Sequence, residues 1–235
     1  MFDFRSGRHA LGFCAAVAIL AGCGGSQAQM AAPSVVSPAA SHVRTASGSG
    51  NCPALPGGTG ILTDGDFSQA PDPGSEQGLP AGTKFASDWV VSERTIDFYG
   101  SDVSWDEPHG LCSVDLDGSG TEGVGAIRHG RVRTTVDATY TVGFILSGNV
   151  NCAQGQGNPR IKRLLVEAVG VGRMIGQVFD WRTAHGHDAQ HGDFKMERWR
   201  FTAFSTETSF VFQSLDRPDK SNCGPVVAGI SVSES

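Results

Sequence analysis

The chain has 235 residues, enough for one domain of ordinary size together with targeting and linking segments. Charged residues make up 18% and Gly occupies 32 positions, a composition that suits a turn-rich β protein and argues against a helical bundle. With a formal net charge of -6 and no basic stripe, nothing is available to neutralise phosphates, and nucleic acid is excluded as a partner.

At the N-terminus, Arg5 and Arg8 precede an apolar run from Leu11 to Leu20. That run has signal-peptide length and falls short of the ~20 residues needed to span a bilayer. It ends in Leu20-Ala21-Gly22-Cys23, which resembles the bacterial lipobox; an ordinary small-residue cleavage site is the alternative. Residues 1–22 are thus expected to be a lipoprotein signal peptide, with Cys23 the lipid attachment and the membrane its partner. Gly24 rather than Asp favours the outer membrane, with the side left open. Residues 23–50 are Ala, Ser, Pro and Gly with almost no large apolar side chain, so they cannot bury a core and act as a flexible tether. Residues 51–235 form the folded domain. Of the cysteines, Cys52, Cys112, Cys152 and Cys223 remain, and an even number in an oxidising compartment predicts two disulfides with three open connectivities.

Within the domain the apolar segments are short. Ile61-Leu62 runs into Asp64-Gly65-Asp66-Phe67; Trp89 to Val91 and Ile96 to Tyr99 follow; Cys112 to Leu116 alternates before a turn at Asp117-Gly118. Tyr140, Val142 and Phe144 line one face of a strand, Trp199, Phe201 and Ala203 another, Phe210 and Phe212 a third. Arg160 to Val169 has apolar residues at helical spacing, with a short amphipathic helix the alternative, but Asn158-Pro159 before it and Gly170 after it bound a short segment that is read as a strand. Gly224-Pro225 turns into a β-branched closing strand, Val226 to Val232, that needs a partner made earlier. Short strands punctuated by Gly, Asn, Asp and Pro predict an all-β sandwich.

Several of these segments resemble, in order, one family. Thr63-Asp64-Gly65-Asp66-Phe67, Asp88-Trp89-Val90 and Ile96-Asp97-Phe98-Tyr99 are similar to the opening segments of the bacterial choice-of-anchor C proteins and the plant cell-wall "domain of unknown function 642" proteins. Gly110 to Gly118, Tyr140-Thr141-Val142-Gly143-Phe144 with Ser147-Gly148-Asn149, and Cys223-Gly224-Pro225-Val226-Val227 match their later ones. The resemblance implies a galactose-binding-like jelly-roll β-sandwich, a fold widely used to bind carbohydrate. It also implies a Cys152–Cys223 disulfide, and with it Cys52–Cys112. Where such domains hold a structural calcium, the acids come after the opening Phe and in the closing strand; here Ser68 and Ala228 stand there, so that site is expected to be absent or weak.

Other constellations point less far. Asp115-Leu116-Asp117-Gly118 has Ala126 at the twelfth loop position, against an EF-hand. His185, His187 and His191, with Asp188 and Asp193, offer zinc ligands, but in a polar loop that a solvated role explains better. No Gly-x-Ser-x-Gly elbow or phosphate loop is present, and the spacing of Asp97, Asp115 and Glu122 does not set a carboxylate pair, so the chain is read as a non-enzyme without cofactors. Trp89 and Trp199 belong to alternating strands and to the core. Tyr99, Trp105 and Trp181 are the candidate sugar platform, because an exposed ring stacks on the C–H face of a sugar. The expected function is a lipid-anchored, non-catalytic module binding a glycan or polysaccharide. The alternative is an envelope-structural lipoprotein with a protein partner and no sugar affinity.

Overall fold

The regular elements follow from the two-residue apolar period. The computed structural model describes residues 50–103, 110–119, 123–149, 161–182, 194–216 and 223–235, and every regular element among them is a strand. The first seven are β1 (Glu76–Pro80), β2 (Lys84–Ala86), β3 (Trp89–Glu93), β4 (Thr95–Tyr99), β5 (Ser113–Asp115), β6 (Ala126–His129) and β7 (Val132–Arg133). The remaining six are β8 (Thr139–Gly148), β9 (Ile161–Gly170), β10 (Arg173–Arg182), β11 (Lys195–Thr202), β12 (Glu207–Ser214) and β13 (Pro225–Glu234).

They pair antiparallel in two sheets, one in the order β1-β4-β5-β13-β8-β11, the other in the order β10-β9-β12-β6-β3-β2 with β7 added on β12. From β8 onward the chain changes sheet at every connection except β9–β10, the jelly-roll habit of a sandwich. The closing strand β13 lies between β5 and β8 in the middle of its sheet, so the last segment made holds strands laid down far earlier.

The core lies between the sheets. Tyr140, Val142, Phe144 and Leu146 of β8 alternate into it, as do Leu164, Val166 and Ala168 of β9, which makes this ambiguous segment a strand. Phe144 meets Phe179 and Phe212 edge-on at 5.1 and 5.5 Å, and Phe67 meets Trp89 at 5.5 Å, geometries that ring quadrupoles favour. Trp89 and Trp199 are buried as expected. The Trp89 indole N–H donates to Asp64 O at 2.9 Å, and both ring nitrogens of His129 face backbone carbonyls, Gly130 O at 2.8 Å and Thr63 O at 2.9 Å.

The opening motif is a turn built from two buried acids. Asp64 accepts the Gln69 and Ser87 N–H groups at 2.8 and 3.0 Å, and Asp66 accepts the Leu55 N–H at 2.6 Å. Phe67 has a φ of 61°, a left-handed conformation that a bulky side chain tolerates only when held, and its fully buried ring is what holds it. Gly65 admits no side chain because a Cβ there would strike the backbone of Ile230, whose N–H donates to Gly65 O at 2.9 Å.

Cys52 and Cys112 form a disulfide, in agreement with the pairing the family resemblance implies. Cys223 is also disulfide-bonded; Cys152 lies outside the described residues. The Cys52–Cys112 bridge spans 60 residues and ties the start of the domain to β5. Replacing both cysteines by Ala is expected to lower unfolding free energy by up to about 4 kcal/mol, read from urea denaturation without reductant. A loss under about 1 kcal/mol would show that the bridge adds little.

Candidate functional site: a buried carboxylate node

Three of the family-like segments meet at one carboxyl group. On β5, Val114 points into the core, so Asp115 takes the opposite face, beside Asp97 of β4 and Val226 of β13 in the pairing register. Asp115 Oδ1 accepts the Asp117 and Gly224 N–H groups, each at 2.8 Å, and its Oδ2 accepts the Asn149 side-chain amide at 2.6 Å. The Asn149 backbone N–H donates to Gly224 O at 3.1 Å, and its side-chain amide also lies 3.3 Å from the Tyr99 hydroxyl. A Cβ on Gly224 would lie 2.7 Å from Asp115 Oδ1, which explains the glycine of the Cys-Gly-Pro segment. Gly148 is required in the same way, because the Trp181 ring occupies the space of its missing side chain.

A second layer of charge adjoins the node. Lys162, at the start of β9, is 3.2 Å from Asp216 Oδ2 and donates to Cys223 O, and both side chains of the ion pair are buried. Asp117 is fully buried. Burial pushes its carboxyl up to about 7, opposed by the Ser214 hydroxyl and by Lys162, with Asp216 adding to the shift. Burial likewise raises Asp115 well above the ordinary carboxylate range and raises Asp97 and Asp216. Asp97 Oδ2 accepts the Ser119 N–H at 2.8 Å while its Oδ1 has no hydrogen-bond partner among the described residues. Burial also drives the Tyr99 phenol upward, and Asp115, Glu76 and Asp97 reinforce it, so this hydroxyl stays protonated.

The structure therefore supplies the carboxylate pair that spacing could not set, since Asp97 and Asp115 are cross-strand neighbours. Both are buried, at 1% and 0% exposure, and they organise backbone rather than face an open cleft. Asp115 is the last residue of β5.

Two of the three platform residues do not present a ring to solvent. Trp181 is 1% exposed and Tyr99 is 4% exposed, which corrects the expectation of an exposed platform. The reason is strand parity: Trp181 lies in phase with Phe179 on the inner row of β10, while its polar neighbours Asp180 and Arg182 point away. Tyr99 is on the outer face of its sheet, where a separate buried cluster of Leu55, Leu111, Ile145 and Ala228 also lies. Trp105 and the histidines His185, His187 and His191 lie outside the described residues. Ser68 donates to Asp64, and Ala228 sits in that apolar cluster, so the position expected for a family calcium acid carries a methyl group. Asp72 approaches the sulfurs of Cys52 and Cys112, but those are joined to each other and Asp72 accepts the Gly74 N–H at 2.8 Å.

The Lys162–Asp216 pair was not foreseen. Its signal was available, since Lys162 falls on the same alternating row as Leu164, Val166 and Ala168.

A model of the family described as "Protein of unknown function (DUF642)" matches residues 60–233. No curated protein matches the chain. Solved structures with a similar arrangement include one described as "Family 16 Carbohydrate Binding Module-2", at 14% identity and TM-score 0.38, covering 59% of this chain and 85% of that one. Another, described as "CBM4 structure and function", has 12% identity and TM-score 0.38 and covers 74% and 99%. An arabinose-bound α-L-arabinofuranosidase has 10% identity and TM-score 0.40; the match covers 78% of this chain but 30% of that one.

The raised acids fix the sign of the pH dependence. Between the ordinary value of 3.8 and about 7, folded Asp117 holds a proton that the unfolded chain has lost, so stability falls as pH rises through this window. Asp64, Asp97, Asp115 and Asp216 act with the same sign. The melting temperature is expected to be higher near pH ~5 than near pH ~8, and Asp117→Asn should flatten the slope and raise the value at the upper end. A melting temperature that climbs with pH over this range would contradict the assignment.

Proposed function

The chain belongs to the DUF642 family, and from that premise we propose that it is an extracytoplasmic, lipid-anchored, non-catalytic module that binds cell-surface glycan or polysaccharide. The observation that carries this reading is the polar outer face of the β1-β4-β5-β13-β8-β11 sheet. Asp97, Asp115 and Ser147 lie in one rung across it, Tyr99 and Ser113 in the next, and Asn149 beyond. Carboxyl, hydroxyl and amide groups of this kind hold strand ends in place through hydrogen bonds. These side chains are buried, so their role is to position the connections that leave the face.

One of those connections joins β4 to β5 and carries Trp105 within Ser104-Trp105-Asp106-Glu107-Pro108-His109. Trp105 is the stacking residue of this reading, with its polar neighbours serving the sugar hydroxyls. Absence of catalysis is supported by the missing nucleophile motifs and by the enclosure of Asp97 and Asp115. Lipid anchoring rests on Leu20-Ala21-Gly22-Cys23, Gly24 supports an outer-membrane destination, and the motifs from Thr63 to Val227 support kinship with the bacterial choice-of-anchor C proteins. A protein-interaction role without sugar affinity is the second reading, favoured by the exposed apolar side chains Met174, Val178 and Met196.

A polysaccharide pull-down and glycan array with the full chain in mild detergent tests the reading. Binding is expected, and Trp105→Ala should weaken it about tenfold, the loss of one stacked ring. Failure to bind any glycan would favour the second reading. Labelling cells with a clickable fatty acid should mark the chain, and Cys23→Ser should abolish the label; a label that persists would place the lipid elsewhere.

A further inference from the structure

Lys162 occupies the inner row of β9, one strand period from Leu164, a place where lysine is found only with a partner. Its neighbour on β10 is the buried Trp181. On the other side β9 pairs with β12 as far as Leu164 and Ser214, and the Leu215 N–H donates to Arg163 O at 2.8 Å, so the chain leaving β12 continues beside β9 and brings Asp216 to Lys162. The two side chains are 3% and 1% exposed, with Lys162 Nζ 3.2 Å from Asp216 Oδ2. An ion pair enclosed to this degree gives up the hydration of both charges, a loss that Coulomb attraction often fails to recover.

The contacts around this pair are those an amide would need. Asp216 Oδ1 accepts the Arg163 N–H at 2.7 Å, as an amide carbonyl oxygen would, and Lys162 Nζ donates to Cys223 O, as an amide N–H would. Oδ2 is the one oxygen an amide lacks, and among the described residues Lys162 alone meets it. Loss of Oδ2 as water would leave each remaining polar atom with the partner it already has and no charge to bury. Asp117 lies close enough to feel the charges of both Lys162 and Asp216, and burial lets it hold a proton near neutral pH. An amine, a carboxyl polarised by a backbone N–H and an acid able to carry a proton are the parts that acyl transfer requires.

We propose that Lys162 and Asp216 condense to an intramolecular amide between Nζ and Cγ, joining β9 to the segment that follows β12. An ammonium proton first passes to Asp216 Oδ2, which leaves a neutral amine facing a neutral acid. Nζ then adds to Cγ, and the negative charge gathering on Oδ1 is met by the Arg163 N–H. Asp117 takes a second proton from Nζ and delivers one to Oδ2. The Cγ–Oδ2 bond breaks and one water leaves; nothing is oxidised or reduced, and Asp117 ends as it began.

Peptide mapping of the full chain, purified in mild detergent, reduced and digested, tests this. The expected product is a branched peptide that contains both Lys162 and Asp216 and is one water lighter than its two arms together. Lys162→Met/Asp216→Leu, which exchanges the pair for apolar side chains, should fold and give only linear peptides. Asp117→Asn should slow closure at least about a hundredfold, read from the branched fraction in chain harvested at intervals after a synthesis pulse. A digest of the unaltered chain that holds Lys162 and Asp216 in linear peptides only overturns the proposal. So does a lost water traced to Asp64-Gly65 or Asp117-Gly118, where an Asp-Gly step can cyclise on itself. Closure at an unchanged rate in Asp117→Asn overturns the role given to Asp117.

Discussion

The Asp115 carboxyl group is the point on which the polar end of this sandwich depends. Three donors from three separate segments converge on it: the Asp117 and Gly224 backbones and the Asn149 side chain. A buried acid without partners is among the most unfavourable groups a protein can contain, and one with three short hydrogen bonds becomes a junction. β5, β13 and the end of β8 are thereby fixed relative to each other beyond what their short ladders provide, since β5 pairs with β13 through only Val226 and Val227. The glycine at 224 is a consequence of this junction, because the Asp115 oxygen fills the space its side chain would need, while Gly148 answers to the Trp181 ring.

Buried carboxyl groups then gather beside this junction. Asp117 and Asp216 lie near Asp115, with Lys162 the cation that offsets them among the described residues. Burial raises all three acids, and the nearby Lys162 ammonium opposes the rise at Asp216 and Asp117. The polar end is therefore stabilised by geometry and titrated by burial together.

The apolar core works differently. Phe67, Trp89, Phe144, Phe179, Phe210 and Phe212 interlock between the sheets without any charge. This division suits a binding scaffold. The core packs the two sheets together, and the node anchors strand ends.

Much of the strand content was legible in the residues themselves. Alternation in Tyr140, Val142 and Phe144, or in Trp199 and Phe201, follows from the strand period, and the boundaries Asn158-Pro159 and Gly170 settled the one ambiguous segment as β9. The Asp64-Gly65-Asp66-Phe67, Ser147-Gly148-Asn149 and Cys223-Gly224-Pro225 segments were visible as motifs, and so was the Cys52–Cys112 pairing through family likeness. What the residues alone could not decide was where such motifs meet, because a hydrogen bond between Asp115 and Gly224 joins positions 109 residues apart and leaves no local periodicity. The same limit misplaced Trp181 and Tyr99: polar sequence neighbours suggested exposure, but inward or outward direction is set by strand parity and by what covers the opposite face. Local chemistry determined the strands; only the tertiary structure, by stacking two sheets and covering one of them, decided which polar and aromatic groups were enclosed.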